Sequence, residues 1–196
     1  MPTKRQIKEQ DKVLRNIFII IGAFLIIFLL GILFISSVGS FKYKGVNFKI
    51  IKEGNLIFYN TAFPMIDSAG NHIADYNFYL RNDPRKLDKV PFEGQVGILE
   101  NVVMNMTDEF NCDGDGIIAI ANFVQVLDKF GAKVIKDPEA GCDIYGKYVF
   151  IQIRPGEETK IEQFENRCYN FYVNDCEILK ATEKFLVEIF AKAKKG

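Results

Sequence analysis

The pattern of apolar and polar positions divides the chain sharply. From Ile17 to Val38 it reads IFIIIGAFLIIFLLGILFISSV, without a charge. A bilayer core about 30 Å thick is crossed by roughly 20 helical residues, so this run is long enough to span, and in lipid it must be helical to satisfy its own backbone. Gly22 and Gly31 do not form a GxxxG face. A cleaved signal peptide is the rival reading. Its apolar region is shorter, about 7–15 residues, and the Ser36–Ser40 exit is a mediocre cleavage site. We read residues 17–38 as an uncleaved signal anchor, 1–16 as a short basic cytoplasmic tail, and 41–196 as one domain.

Within that domain the periods change. Val46 to Lys52 alternates as a strand, Glu53-Gly54-Asn55 has turn chemistry, and Leu56 to Tyr59 begins the second arm of a hairpin that Pro64 should end. Ile73 to Arg81 places Tyr76, Phe78 and Leu80 on one face, and Asn82-Asp83-Pro84 stops it. Further strands are predicted within 94–106, at 132–136, at 147–154 and at 168–173. Two helices are predicted. One starts at Asp115, with Asp113 or Asp115 as its cap and Gly131 as its stop, and is apolar nearly all round. The other starts at Asn174 or Asp175, with Asn174 and Glu177 as a capping box. Its stripe of Ile178, Leu179, Phe185, Leu186, Ile189 and Phe190 leaves Lys180, Glu183, Lys184 and Glu188 in water. The expected class is α+β, a mixed or antiparallel sheet covered by two helices, behind one transmembrane helix.

Charge alters this picture little. The domain holds 20 of the 25 basic and 23 of the 25 acidic residues, a balance of 20 − 23 = −3. No clustered basic face speaks for nucleic acid. The tail carries five Lys and Arg and the other flank of the span four, so the positive-inside rule barely favours an inward N-terminus.

The cysteines weigh more. Cys112, Cys142, Cys168 and Cys176 all lie in the domain and form no C-x-x-C pair. An even set outside a membrane reads as two disulfides, ahead of free thiols or a metal. Cys168 and Cys176 bracket a strand and would stand too far apart to bond. Cys112 and Cys176 each lie between a strand's end and a helix's start, which favours Cys112–Cys176 with Cys142–Cys168. The cysteines place the domain outside the cell membrane and the N-terminus in the cytoplasm.

Candidate chemistry is sparse. Ser68 lies four residues from His72, the chain's single histidine, with Asp67 or Asp75 as orienting acid, but no G-x-S-x-G elbow accompanies them. One histidine argues against His-rich zinc sites, and there is no Walker A or G-x-G-x-x-G. Asn111, Asp113 and Asp115, followed by Gly116, match the first positions of a calcium loop. However, position 12 falls on Asn122 and a strand precedes the loop, so helix capping is the preferred role and Ca²⁺ the lesser one; no other cofactor is expected. Arg81 and Arg85 flank the Asn82–Pro84 turn, where they could hold an anionic ligand or pair with Asp83 or Asp88. Asn105-Met106-Thr107 is a formal glycosylation sequon, meaningful only if exposed. The expected role is a binding or structural module of a membrane or envelope complex, with the bilayer as one partner and a membrane or envelope protein as another. The alternative is a membrane-tethered enzyme or solute receptor using residues 108–116 and the Arg81/Arg85 turn.

Overall fold

The computed structural model describes residues 15–29, 31, 39–66, 69–97, 101–107, 110 and 112–194. The chain forms two compact units, Met1–Phe41 and Lys42–Gly196. In the first, residues 15–29 are helical (α1), and nearly every side chain faces outward, Phe18, Ile20 and Phe24 among them. Among the described residues no helix is long and apolar enough to cross a membrane. Residue 30 and residues 32–38 of the sequence-predicted span lie outside them.

The second unit is α+β, built on two sheets rather than the one the sequence suggests. The first sheet has the order β1(Ser40–Tyr43), β2(Val46–Glu53), β3(Leu56–Ile66), β4(His72–Leu80). Its β2–β3 and β3–β4 pairs are antiparallel. Glu53 pairs with Leu56 across a two-residue loop whose Gly54 has φ +61°, a conformation that favours glycine. Pro64 does not end β3. The β2 partner covers only Leu56–Asn60, so at Pro64 the strand has β4 on one side and no β2 ladder to break on the other.

The second sheet is mixed, in the order β5–β9–β10–β8–β6–β7: β5(Phe92–Glu93), β6(Asn101–Met106), β7(Lys133–Lys136), β8(Val149–Pro155), β9(Lys160–Glu165) and β10(Cys168–Val173). Strand β9 is absent from the sequence reading. Only Ile161 of its six residues is buried, so the apolar alternation that marks a strand is thin there.

Helices α2(Asp115–Lys129) and α3(Ile178–Ala193) form the layer between the sheets. Phe190 of α3 meets Phe63 and Phe78 of the first sheet at 5.1 and 5.3 Å between ring centroids. Phe185, one turn earlier, meets Tyr169 and Phe171 of the second at 5.1 and 5.2 Å. Twelve of the sixteen residues of α3 are therefore buried. Glu183 and Lys184, expected in water, are among them. α2 departs the other way. It buries one face through Ala119, Phe123, Val126 and Leu127, while Ile117 is 68% exposed.

Neither helix is capped as the sequence suggests. Gly114 caps α2 in a left-handed conformation and makes no side-chain capping hydrogen bond. α3 begins at Ile178, after a turn closed by the Glu177 amide on the Asn174 carbonyl, so Asn174 and Glu177 form no capping box. The disulfide Cys112–Cys176, Cα–Cα 5.5 Å, joins the two helix starts instead. Cys142–Cys168, Cα–Cα 5.7 Å, ties the loop after β7 to β10. Both are the pairings that strand geometry favoured.

Candidate functional site

One edge of the first sheet is β4, and a cavity of about 440 Å³ lies along it against α2. On the strand side it is lined by the consecutive residues Tyr76 to Arg81. On the helix side Ile118, Asn122 and Gln125, spaced four and three apart, form one stripe of α2. At one end the Gln125 amide donates to the Tyr76 hydroxyl, and the Lys129 ammonium stands 5.5 Å from the Tyr76 ring centroid. At the other stand Arg81, Phe58 and Glu53.

The two arginines singled out in the sequence part company here. Arg85 forms a fork with Asp83, Nε–Oδ1 2.9 Å and Nη2–Oδ2 2.6 Å. That pair, with the Arg85 amide on the same carboxylate, pins the turn, and the Arg85 guanidinium holds the Asp83 carboxyl below its ordinary value. Arg81 makes no ion pair among the described residues. Its guanidinium lies 6.0 Å from the Phe58 ring centroid, a cation–π contact that leaves its N–H edge able to receive an anion.

What holds Arg81 in place was not legible in the sequence. The Glu183 carboxylate accepts the Arg81 amide at 2.6 Å, the Asn82 amide at 2.8 Å and the Asn82 side chain at 2.9 Å. An α3 side chain thus closes off the backbone donors where β4 ends. Burial pushes the Glu183 carboxyl up to about 7, and the three donors, with the charge of the Arg81 guanidinium, oppose that rise. The neighbouring Lys184 ammonium binds Asp88 and Glu188, both at 3.1 Å. The Tyr43 hydroxyl and then Lys184 hold the Asp88 carboxyl down to about 2. This cluster fastens α3 to the 3-10 turn Leu87–Lys89.

The other candidates fall apart or lie elsewhere. Asp113 and Asp115 sit beside Asp175 and Glu177 at the Cys112–Cys176 bridge, and Glu177 is paired with Lys180. Among the described residues no group of three or more His, Cys, Asp or Glu is arranged to hold a metal ion. Asn111 lies outside the described residues, as do Asp67 and Ser68. His72 Nε2 is 2.9 Å from Asp75 Oδ1 on the exposed surface.

Asn105, the sequon residue, is buried at 9% exposure, and its amide donates to the Pro138 and Ala140 carbonyls, both at 3.0 Å. A glycan has no room there. Replacing Asn105 with Ala should cost about 1 kcal/mol, because two part-buried hydrogen bonds that join β6 to the loop after β7 are lost. A urea melt checks this, and an unchanged midpoint would contradict it.

Comparison with protein-family models, with curated proteins and with solved structures finds no match to this chain.

Proposed function

We propose that this protein is a single-pass membrane protein whose α+β domain lies outside the cell membrane and serves as a binding module of a membrane or envelope complex. The carrying observation is a pairing of opposites along one chain. A stretch of twenty-two uncharged residues, whose described helical part presents apolar side chains on nearly every side, precedes a domain closed by two disulfides. A helix apolar all round needs an apolar surround. Disulfides persist in oxidising compartments.

The groove beside β4 is the feature suited to binding. It combines aromatic walls, amide side chains and one cation, the usual composition of a recognition site. That cation, Arg81, makes no salt bridge among the described residues, although its charge also favours the Glu183 carboxylate. An enzymatic reading has less behind it, since Arg85 is already spent on Asp83 and the groove presents no nucleophile beside a base.

Thiol labelling of the full-length protein, purified without reductant and denatured, tests the compartment. No reactive thiol is expected before reduction and four after it. Four before reduction would remove the main support for the outward orientation. Protease added to intact cells should digest the domain and leave the tail; survival of the domain would place it in the cytoplasm.

A further inference from the structure

We infer that the groove between β4 and α2 takes an extended peptide segment, added antiparallel to β4 as a fifth strand, with an Asp or Glu side chain of that segment on Arg81. The inference rests on the binding-module reading above and supplies its ligand class.

Of the four outer strands, only β4 is equipped for this. β5 has two residues and β1 four. β7 reads KVIK, with an exposed lysine at each end, and such edge charges discourage pairing. β4 has nine residues and, among the described residues, is paired only with β3. Alternate residues of an edge strand turn their N–H and C=O groups outward, unpaired. The consecutive residues Tyr76–Arg81 all line the cavity, although their side chains alternate between the two faces of the sheet, so the cavity runs along the strand. At about 3.3 Å per residue, that length accommodates roughly five residues of a partner strand. The α2 stripe forms the opposite wall, so alternate side chains of the incoming strand would rest on Ile118 and against Asn122 and Gln125. The β2–β3 and β3–β4 pairs of this sheet are antiparallel, and an antiparallel addition continues that ladder.

Charge sets the register. Arg81 directly follows β4, its backbone is locked by Glu183, and its guanidinium reaches the groove without an ion pair among the described residues. A carboxylate there gains a charge-assisted hydrogen bond. Glu53 lines the same end and works against it. The two residues should therefore affect affinity with opposite signs, which a merely sticky crevice would not show.

The test uses full-length protein in detergent and a fluorescein-labelled pool of N-acetylated, C-amidated hexapeptides with alternating apolar residues and one Asp or Glu near the N-terminus. Anisotropy should show saturable binding. Arg81→Gln should weaken it roughly tenfold, the loss of about 1.4 kcal/mol. Gln in place of the acidic peptide residue should do the same. Glu53→Gln should tighten binding, and Asn122→Trp, which fills the groove from the helix side, should abolish it. The amides of β4 should gain protection from hydrogen exchange when peptide is bound. No saturable binding by the pool, or binding indifferent to Asn122→Trp, overturns the proposal. Equal binding by free-acid peptides lacking Asp and Glu overturns the assignment to an acidic side chain. If peptides fail while thiol labelling shows an oxidised domain outside the cell, only the ligand class falls.

Discussion

Between pH 4.5 and pH 8 the folded protein should lose about 3 kcal/mol of stability, and most of that slope should disappear in Glu183→Gln. The sign follows from burial. The carboxyl of Glu183 titrates at about 7 in the folded chain against 4.5 in the unfolded one. Its contribution is therefore complete below pH 4.5 and is lost as pH rises through about 7. At 1.36 kcal/mol per pH unit, a shift of this size gives the figure above. Asp88 acts in the opposite direction, from 3.8 to about 2, so its stabilisation is complete above that range and is lost as pH falls through it. The window from 4.5 to 8 accordingly isolates Glu183. Denaturant midpoints at four or five pH values, in wild type and variant, decide the matter. An identical slope in both would show that Glu183 is not its source.

Removing the two disulfides should rank them against their loop lengths. Closing separations of 64 and 26 residues predicts about 4 kcal/mol for Cys112–Cys176 and about 3.5 for Cys142–Cys168. Two observations reverse the order. Cys112, Asp113, Asp175 and Cys176 all have φ between +41° and +62°, and release of such non-glycine backbone recovers about 1 kcal/mol or more per bridge end. Cys168, in contrast, is fully buried against Val103 and Phe150, with Tyr148 packed beside them, and loss of its sulfur leaves a cavity. Cys142→Ala/Cys168→Ala should cost about 4 kcal/mol and Cys112→Ala/Cys176→Ala about 2–3. Urea midpoints of the two double variants are the measurement. A larger loss at Cys112–Cys176 would mean that loop closure alone governs.

The sequence announced most strands and both long helices of the domain, because their apolar periods are strong. It could not announce a second sheet. An amphipathic stripe such as Ile178–Phe190 states that one face is buried and is silent on what lies across the other. Glu183 and Lys184 therefore read as wet, although each meets a specific partner on an element about a hundred residues away. α2 misled in the reverse sense, since Ile117 and Ala121 look like core and lie at the surface. The arginine turn was visible as a feature, but the choice between ligand binding and turn pinning rests on side-chain direction. Asp83 takes Arg85, and the groove keeps Arg81. The groove itself could not be read, because its walls come from strands and a helix that adjoin only after folding.

The layer formed by α3 has a consequence for how the domain is made. Every strand of both sheets precedes α3 in the chain, yet α3 fills the space between them. During synthesis the inner faces that carry Phe63, Phe78, Tyr169 and Phe171 are complete before the helix that covers them exists. Until it emerges, α2 alone covers these faces and leaves part of each apolar surface bare, a condition that invites association with other chains. Attachment of the N-terminal segment to a membrane would hold each nascent domain apart from free-floating neighbours through that interval. The tether would then assist assembly as well as address.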